Sequence, residues 1–115
     1  MERRPLKVAD DTRVTASSGN VFADLGVDQP EEELAKAQMA NLIRETIRRR
    51  RLTQTRAGAV MGLDQPKVSA LMNGRLDGFS SDRLMRLLTA LGQDVDIVVR
   101  PAPRRRERGH IRVVT

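Results

Sequence analysis

Residues 52–75 read LTQTRAGAVMGLDQPKVSALMNGR, and the fold of the whole chain turns on whether this stretch is two short helices around a tight turn. Thr53 is a capping residue, and Ala57, Val60 and Met61 follow it at the spacings of a buried helical face. Gly62 breaks that pattern. Asp64 then offers a second cap, and Val68 and Leu71 make the inward side of a second helix. Pro66 fits only the first turn of that helix, where amide hydrogens have no intrahelical acceptor, although a residue before proline resists helical angles. The helix start is therefore fixed to within one residue. Asn73 and Gly74 end it, because both tolerate the left-handed conformation that closes a helix.

A helix, a glycine turn and a second helix in about twenty residues form the helix-turn-helix pattern, whose second helix lies in the DNA major groove. Spacing tests the match. With Gln54 counted as the first residue, Gly58 falls fifth, where the two helices approach, and Gly62 falls ninth, in the turn; Val68 and Leu71 fall fifteenth and eighteenth, facing inward. The outward side chains Gln65, Lys67, Ser69 and Asn73 are polar, with Gln65 suited to adenine and Lys67 to guanine or a phosphate. For any one of them, solvation of a surface helix is the plainer account. The whole set behind a correctly spaced core favours DNA.

The wording LTQ, MGLDQPKVS and NG, at 52–54, 61–69 and 73–74, resembles the Xre/Cro-type helix-turn-helix family, and the likeness extends over residues 39–91. It implies a mainly α domain of four to five helices. It also implies roles: Gln54 as a phosphate clamp, Gln65, Pro66, Lys67 and Ser69 at the groove end of the second helix, and Asn73 and Arg75 holding the DNA backbone. Two positions depart from the pattern. Gly58 stands where alanine is commoner, and Ala70 stands where some members carry a longer base-contacting side chain, which leaves the sequence preference open.

Before the motif, Asp28, Pro30 and Glu31 to Glu33 mark a helix start, with a cap, a first-turn proline and carboxylates at the positive dipole end. This helix is expected to run to Arg51 on a stripe of Ala35, Met39, Leu42, Ile43 and Ile47, with Lys36, Arg44 and Arg48 on or near the wet side. The run Arg48 to Arg51 opposes the negative end of the dipole; solubility and capping account for it at least as well as DNA contact does. After the motif, Ser80 or Ser81 caps a helix through Leu84, Leu87, Leu88 and Leu91, which Gly92 stops. In DVDIVVR, Val95, Ile97 and Val99 alternate with polar residues and predict one strand. A lone strand in a helical domain is expected to pair with its copy across a two-fold dimer.

Charge divides the chain. Residues 1–29 carry four basic and five acidic groups, 30–99 carry eleven and nine, and 100–115 carry six and one, within a net charge of +6. The expected organisation is an acidic, largely flexible leader at 1–29, a DNA-binding and dimerisation domain at 30–99, and a basic flexible tail at 100–115 whose arginines attract phosphate non-specifically. Val21, Phe22 and Leu25 are apolar islands in the leader, suited to docking on this domain or on a partner.

The composition also excludes functions. Two Phe and no Tyr or Trp leave almost no surface for stacking single-stranded bases. No cysteine is present, His110 stands alone in the tail, and no cluster has metal-ligand spacing, so neither a metal nor another cofactor is expected. No nucleophile sits in an activating context, so no enzyme is expected. No apolar run approaches the roughly 20 residues that span a bilayer, and MERRPLKVADDTR lacks the apolar block of a secretion signal, which predicts a cytoplasmic protein without membrane contact.

A wider resemblance joins SSGNVFADLG and FSSDRLMRLLTALGQDVDIVVRP to the HigA-type antitoxins within the Xre family. It implies a repressor of its own operon that binds a small RelE/ParE-like toxin. The stretch Asp10 to Glu33, with seven acidic groups against one basic, has the sign needed to cover a basic RNA-binding toxin, with Val21, Phe22, Leu25, Glu31 and Glu32 as candidate contacts. The alternative is a stand-alone Xre-family regulator without a toxin partner.

Overall fold

The computed structural model describes residues 29–115, in four helices: α1 (Gln29–Arg49), α2 (Gln54–Met61), α3 (Gln65–Met72) and α4 (Ser81–Ala90). The leader through residue 28, with Val21, Phe22, Leu25 and the Asp28 cap, lies outside the described residues. α4 packs along α1, α2 packs on α3, and this second pair reaches the first through α3 on α1 and α2 on α4.

Each helix after α1 begins on a side-chain cap. Thr53 Oγ1 accepts from the Arg56 amide at 3.0 Å, Asp64 Oδ1 from Lys67 at 3.0 Å and Ser80 Oγ from Arg83 at 3.1 Å, so Ser80 rather than Ser81 opens α4. All four helices end alike. Arg51, Gly62, Gly74 and Gly92 have φ of 55, 72, 77 and 91°. The next amide in each case reaches back five residues: Leu52 to Ile47 (3.0 Å), Leu63 to Gly58 (2.9 Å), Arg75 to Ala70 (2.8 Å) and Gln93 to Leu88 (3.0 Å). These bonds use carbonyls that the helix itself leaves without donors.

Ile43, Val68, Leu71, Phe79, Leu84 and Leu91 form the fully buried centre. Leu63 and Val68 flank the Asp64 cap, and Phe79 and Leu84 flank the Ser80 cap, the positions at which an apolar pair fixes the angle of chain entry. On α1, Ala35, Met39, Ile43 and Ile47 are buried as the stripe requires, and Leu42 is half-buried. Lys36 and Arg44 differ from the expected wet side: Lys36 is 8% exposed, with Nζ 4.0 Å from Glu33 Oε2, and Arg44 is half-buried. With both α4 and α3 packed on it, α1 is covered over a wider arc than the stripe describes. Long basic stems lie under that cover while their charged heads find polar partners.

No paired strand occurs among the described residues, so the expected C-terminal strand is not formed within this chain. A strand is defined by its ladder, and a single segment has no second edge to bond. Val95 is half-buried against the core, whereas Ile97, Val98 and Val99 are 52, 62 and 86% exposed. Beyond the prolines the chain turns back to α1. Glu31 Oε2 accepts from the Ile111 amide at 3.1 Å and lies 3.1 Å from His110 Nδ1, and Val113 packs against the core. The basic tail, expected as a free arm, is thus tied to the first turn of α1 at this point.

Gly58 marks the closest approach of α2 to the α3 entry. A Cβ there would lie 2.9 Å from the Leu63 carbonyl oxygen and 3.0 Å from Val68 Cγ2, which explains glycine at a position where alanine is commoner. Gly58→Ala gains about 1 kcal/mol of helix propensity and loses about 1–3 kcal/mol to overpacking against backbone. A net loss of about 1 kcal/mol is expected in urea denaturation.

Candidate nucleic-acid interface

The Asp64 cap sets the geometry of the second motif helix. Its carboxylate holds the Lys67 amide, so α3 starts at Gln65 and Pro66 occupies the second position, where its missing N–H breaks no helical bond. Gln65 and Pro66 are exposed at this end. Gln54, the first residue of α2, is also exposed, and Gln65 Nε2 donates to Gln54 Oε1 at 3.4 Å. Two glutamines eleven residues apart in sequence therefore form one polar patch across the starts of both motif helices.

The remaining candidates diverge in what holds them. Lys67 is half-buried, and its Nζ stands 5.3 Å from the centroid of the Phe79 ring, which Arg83 also approaches at 5.8 Å. A contact of this kind is worth about 0.5–1 kcal/mol where solvent reaches it, less than a charge-assisted bond to an anion, so Lys67 is parked rather than locked. Ser69 is half-buried and accepts through its carbonyl from Asn73 Nδ2 at 2.9 Å, with the Ser69 Oγ at 3.4 Å. Asn73 thus closes the end of its own helix. The Arg75 side chain is exposed while its amide completes the turn.

Arg44 and Phe79 were missed as parts of this arrangement. Arg44 Nη1 donates to the Leu71 carbonyl at 3.0 Å, tying the middle of α1 to the last turn of α3, and Arg50 Nη1 donates to the Leu91 carbonyl at 3.0 Å at the end of α4. Each puts a cation on the negative end of a helix dipole. The only signal in the sequence was the place of Arg44 beside Ile43 on the flank of the stripe. Phe79 lies between helices, outside any periodic pattern, and its one signal was its place just before the Ser80 cap, with Leu84 beyond the cap completing the flanking apolar pair.

Charge on the motif and on the arginine run leading into it is mostly of one sign. Residues 48–75 carry seven basic groups and one acidic group, Asp64, whose carboxylate is occupied as a cap. Among the described residues no group of His, Cys, Asp and Glu could hold a metal ion, and no helix is long and apolar enough to cross a membrane.

Two capped helices at a left-handed glycine turn, with a basic, polar face at their amino ends, define a helix-turn-helix DNA-binding domain. The sequence profile of a helix-turn-helix domain family matches residues 21–100. A solved structure provisionally named an XRE family transcriptional regulator is 49% identical, with a TM-score of 0.73, and the match covers 76% of this chain and 99% of that one. No curated protein matches the chain. The chain belongs to the helix-turn-helix family of XRE-type DNA-binding transcriptional regulators, a class of regulators and not of enzymes.

Arg44→Ala removes the charged donor from the Leu71 carbonyl but leaves the Gly74 amide, 3.2 Å away, as a weaker one. The expected loss is about 1.5 kcal/mol in denaturant unfolding. Amide exchange should quicken at Gly74 and Arg75 more than in α2.

Proposed function

We propose that the chain reads a specific duplex site through the amino end of α3. Gln65 and Lys67 contact base edges, Pro66 and Ser69 border the groove, and Gln54, Asn73 and Arg75 hold phosphates. The observation that supports this reading most directly is the Gln54–Gln65 contact, which sets a phosphate-clamp position beside a base-reading one. Lys67 leaves the Phe79 ring on binding, and Asn73 exchanges its bond to Ser69 for a phosphate oxygen. In this reading the protein acts in the cytoplasm as a two-fold dimer. Val95, Ile97 and Val99 pair with their copies, which gives the exposed apolar residues Ile97 and Val99 a covering partner.

The finer reading is an antitoxin that neutralises a small RelE/ParE-like toxin by direct binding and represses its own operon. It is supported by the acidic stretch Asp10 to Glu33 and by the resemblance of the flanking sequence. Val21, Phe22 and Leu25 would anchor the toxin, with Glu31 and Glu32 at the edge of the contact. A specific observation favours the second reading, a stand-alone regulator: Glu31 already accepts from the tail, and Glu32 is 3% exposed.

Gln65→Ala with Lys67→Ala should abolish the sequence-specific shift of DNA from upstream of the gene, each lost base contact costing about 1–3 kcal/mol. Unaltered binding by the double variant would sink the assignment. Purification from the host under mild salt distinguishes the two finer readings: the antitoxin brings down a small basic protein that is lost when residues 1–33 are removed, and the stand-alone regulator does not. A monomeric mass at micromolar concentration would rule out the dimer.

A further inference from the structure

Three helices close on glycine, while α1 closes on Arg51 in the same left-handed conformation, at φ 55°. Any side chain is disfavoured there, and the helix end does not need the charge. Arg48 and Arg49 already put cations in the last turn, and Arg50 is engaged with the Leu91 carbonyl. Arg51 itself is exposed, and among the described residues its guanidinium has no hydrogen-bond or ion-pair partner. The left-handed backbone closes α1, but glycine would close it without strain, so the arginine side chain kept there is where a functional demand should be sought.

The position of Arg51 supplies the demand. It precedes Gln54 by three residues, so chain continuity holds it within about 10 Å of the residue that meets Gln65. The stretch between them contains no acidic group that would compete for it. We propose that Arg51 is a further phosphate contact of the DNA-binding face, a sequence-independent anchor beside Gln54, held in place at the expense of an unfavourable backbone conformation. The planar guanidinium suits two phosphate oxygens at once. The proposal rests on the reading that the amino ends of α2 and α3 face DNA.

The test compares the full-length protein with Arg51→Gly and Arg51→Lys, on the duplex from its own upstream region and on an unrelated duplex of equal length, over a range of salt. Arg51→Gly should melt at a higher temperature than the parent and yet bind both duplexes more weakly by one common factor, roughly three- to tenfold near 0.1 M salt. Its slope of log K against log salt should shrink by about 0.9 for each bound protomer, while Arg51→Lys keeps the parent slope. A raised melting temperature with unchanged affinity and slope would overturn the proposal and leave Arg51 as a helix end only. Failure of the α3 reading shows separately, as a parent protein with no preference for its upstream duplex, because the Arg51 result is read on the unrelated one.

Discussion

The motif helices α2 and α3 are eight residues each, below the length at which a helix sustains itself in water. Everything else in the domain follows from that shortfall. Caps at Thr53 and Asp64 and left-handed closures at Gly62 and Gly74 satisfy backbone groups that short helices leave open in high proportion. The remaining stability has to come from burial against elements that are longer, which is the work of α1 and α4. Ile43, Leu71 and Leu84 join those two elements to the motif from three different helices.

Arginine has two separate duties in this arrangement. Arg44 in α1 and Arg50 just beyond its end donate to the Leu71 and Leu91 carbonyls, so one scaffold helix and its exit position the ends of α3 and α4. Within the motif Arg56 and Arg75 stay exposed, and Lys67 is half-buried over the Phe79 ring. The carboxylates are treated oppositely: Asp64 is spent on a cap and Glu31 on the returning tail. With these carboxylates engaged and Arg56 and Arg75 exposed, the motif keeps a positive surface without any large excess in the domain as a whole, which is how a field attracting phosphate is built at modest net charge.

Much of this was legible in the sequence because it depends on local rules. Thr53, Asp64, Gly62, Gly74 and Gly92 announce helix boundaries by backbone chemistry alone, and the inward residues Val68 and Leu71 follow from helical period. What escaped depends on long-range placement. The Arg44 bond to Leu71 requires knowing that α3 packs on α1, the burial of Lys36 depends on tertiary cover that the stripe does not describe, and Phe79 belongs to no helical period. The tail's composition has the look of a free arm; its bond to Glu31 arises from a contact across 80 positions, which composition does not encode. For the candidate interface, periodicity identified Gln65 and Lys67 as outward, but the meeting of Gln54 with Gln65 and the seating of Lys67 on Phe79 are properties of the packed molecule.

The connection between α2 and α3 is three residues long, and each has an assignment: Gly62 takes the left-handed turn, Leu63 is buried and Asp64 caps the next helix. None is spare. An insertion or deletion there would break at least one of these assignments and with it the placement of α3 against α2. The freedom that remains on α3 lies at exposed positions such as Gln65, whereas Ala70 is half-buried against the core, so a longer side chain there would have to be accommodated by its neighbours.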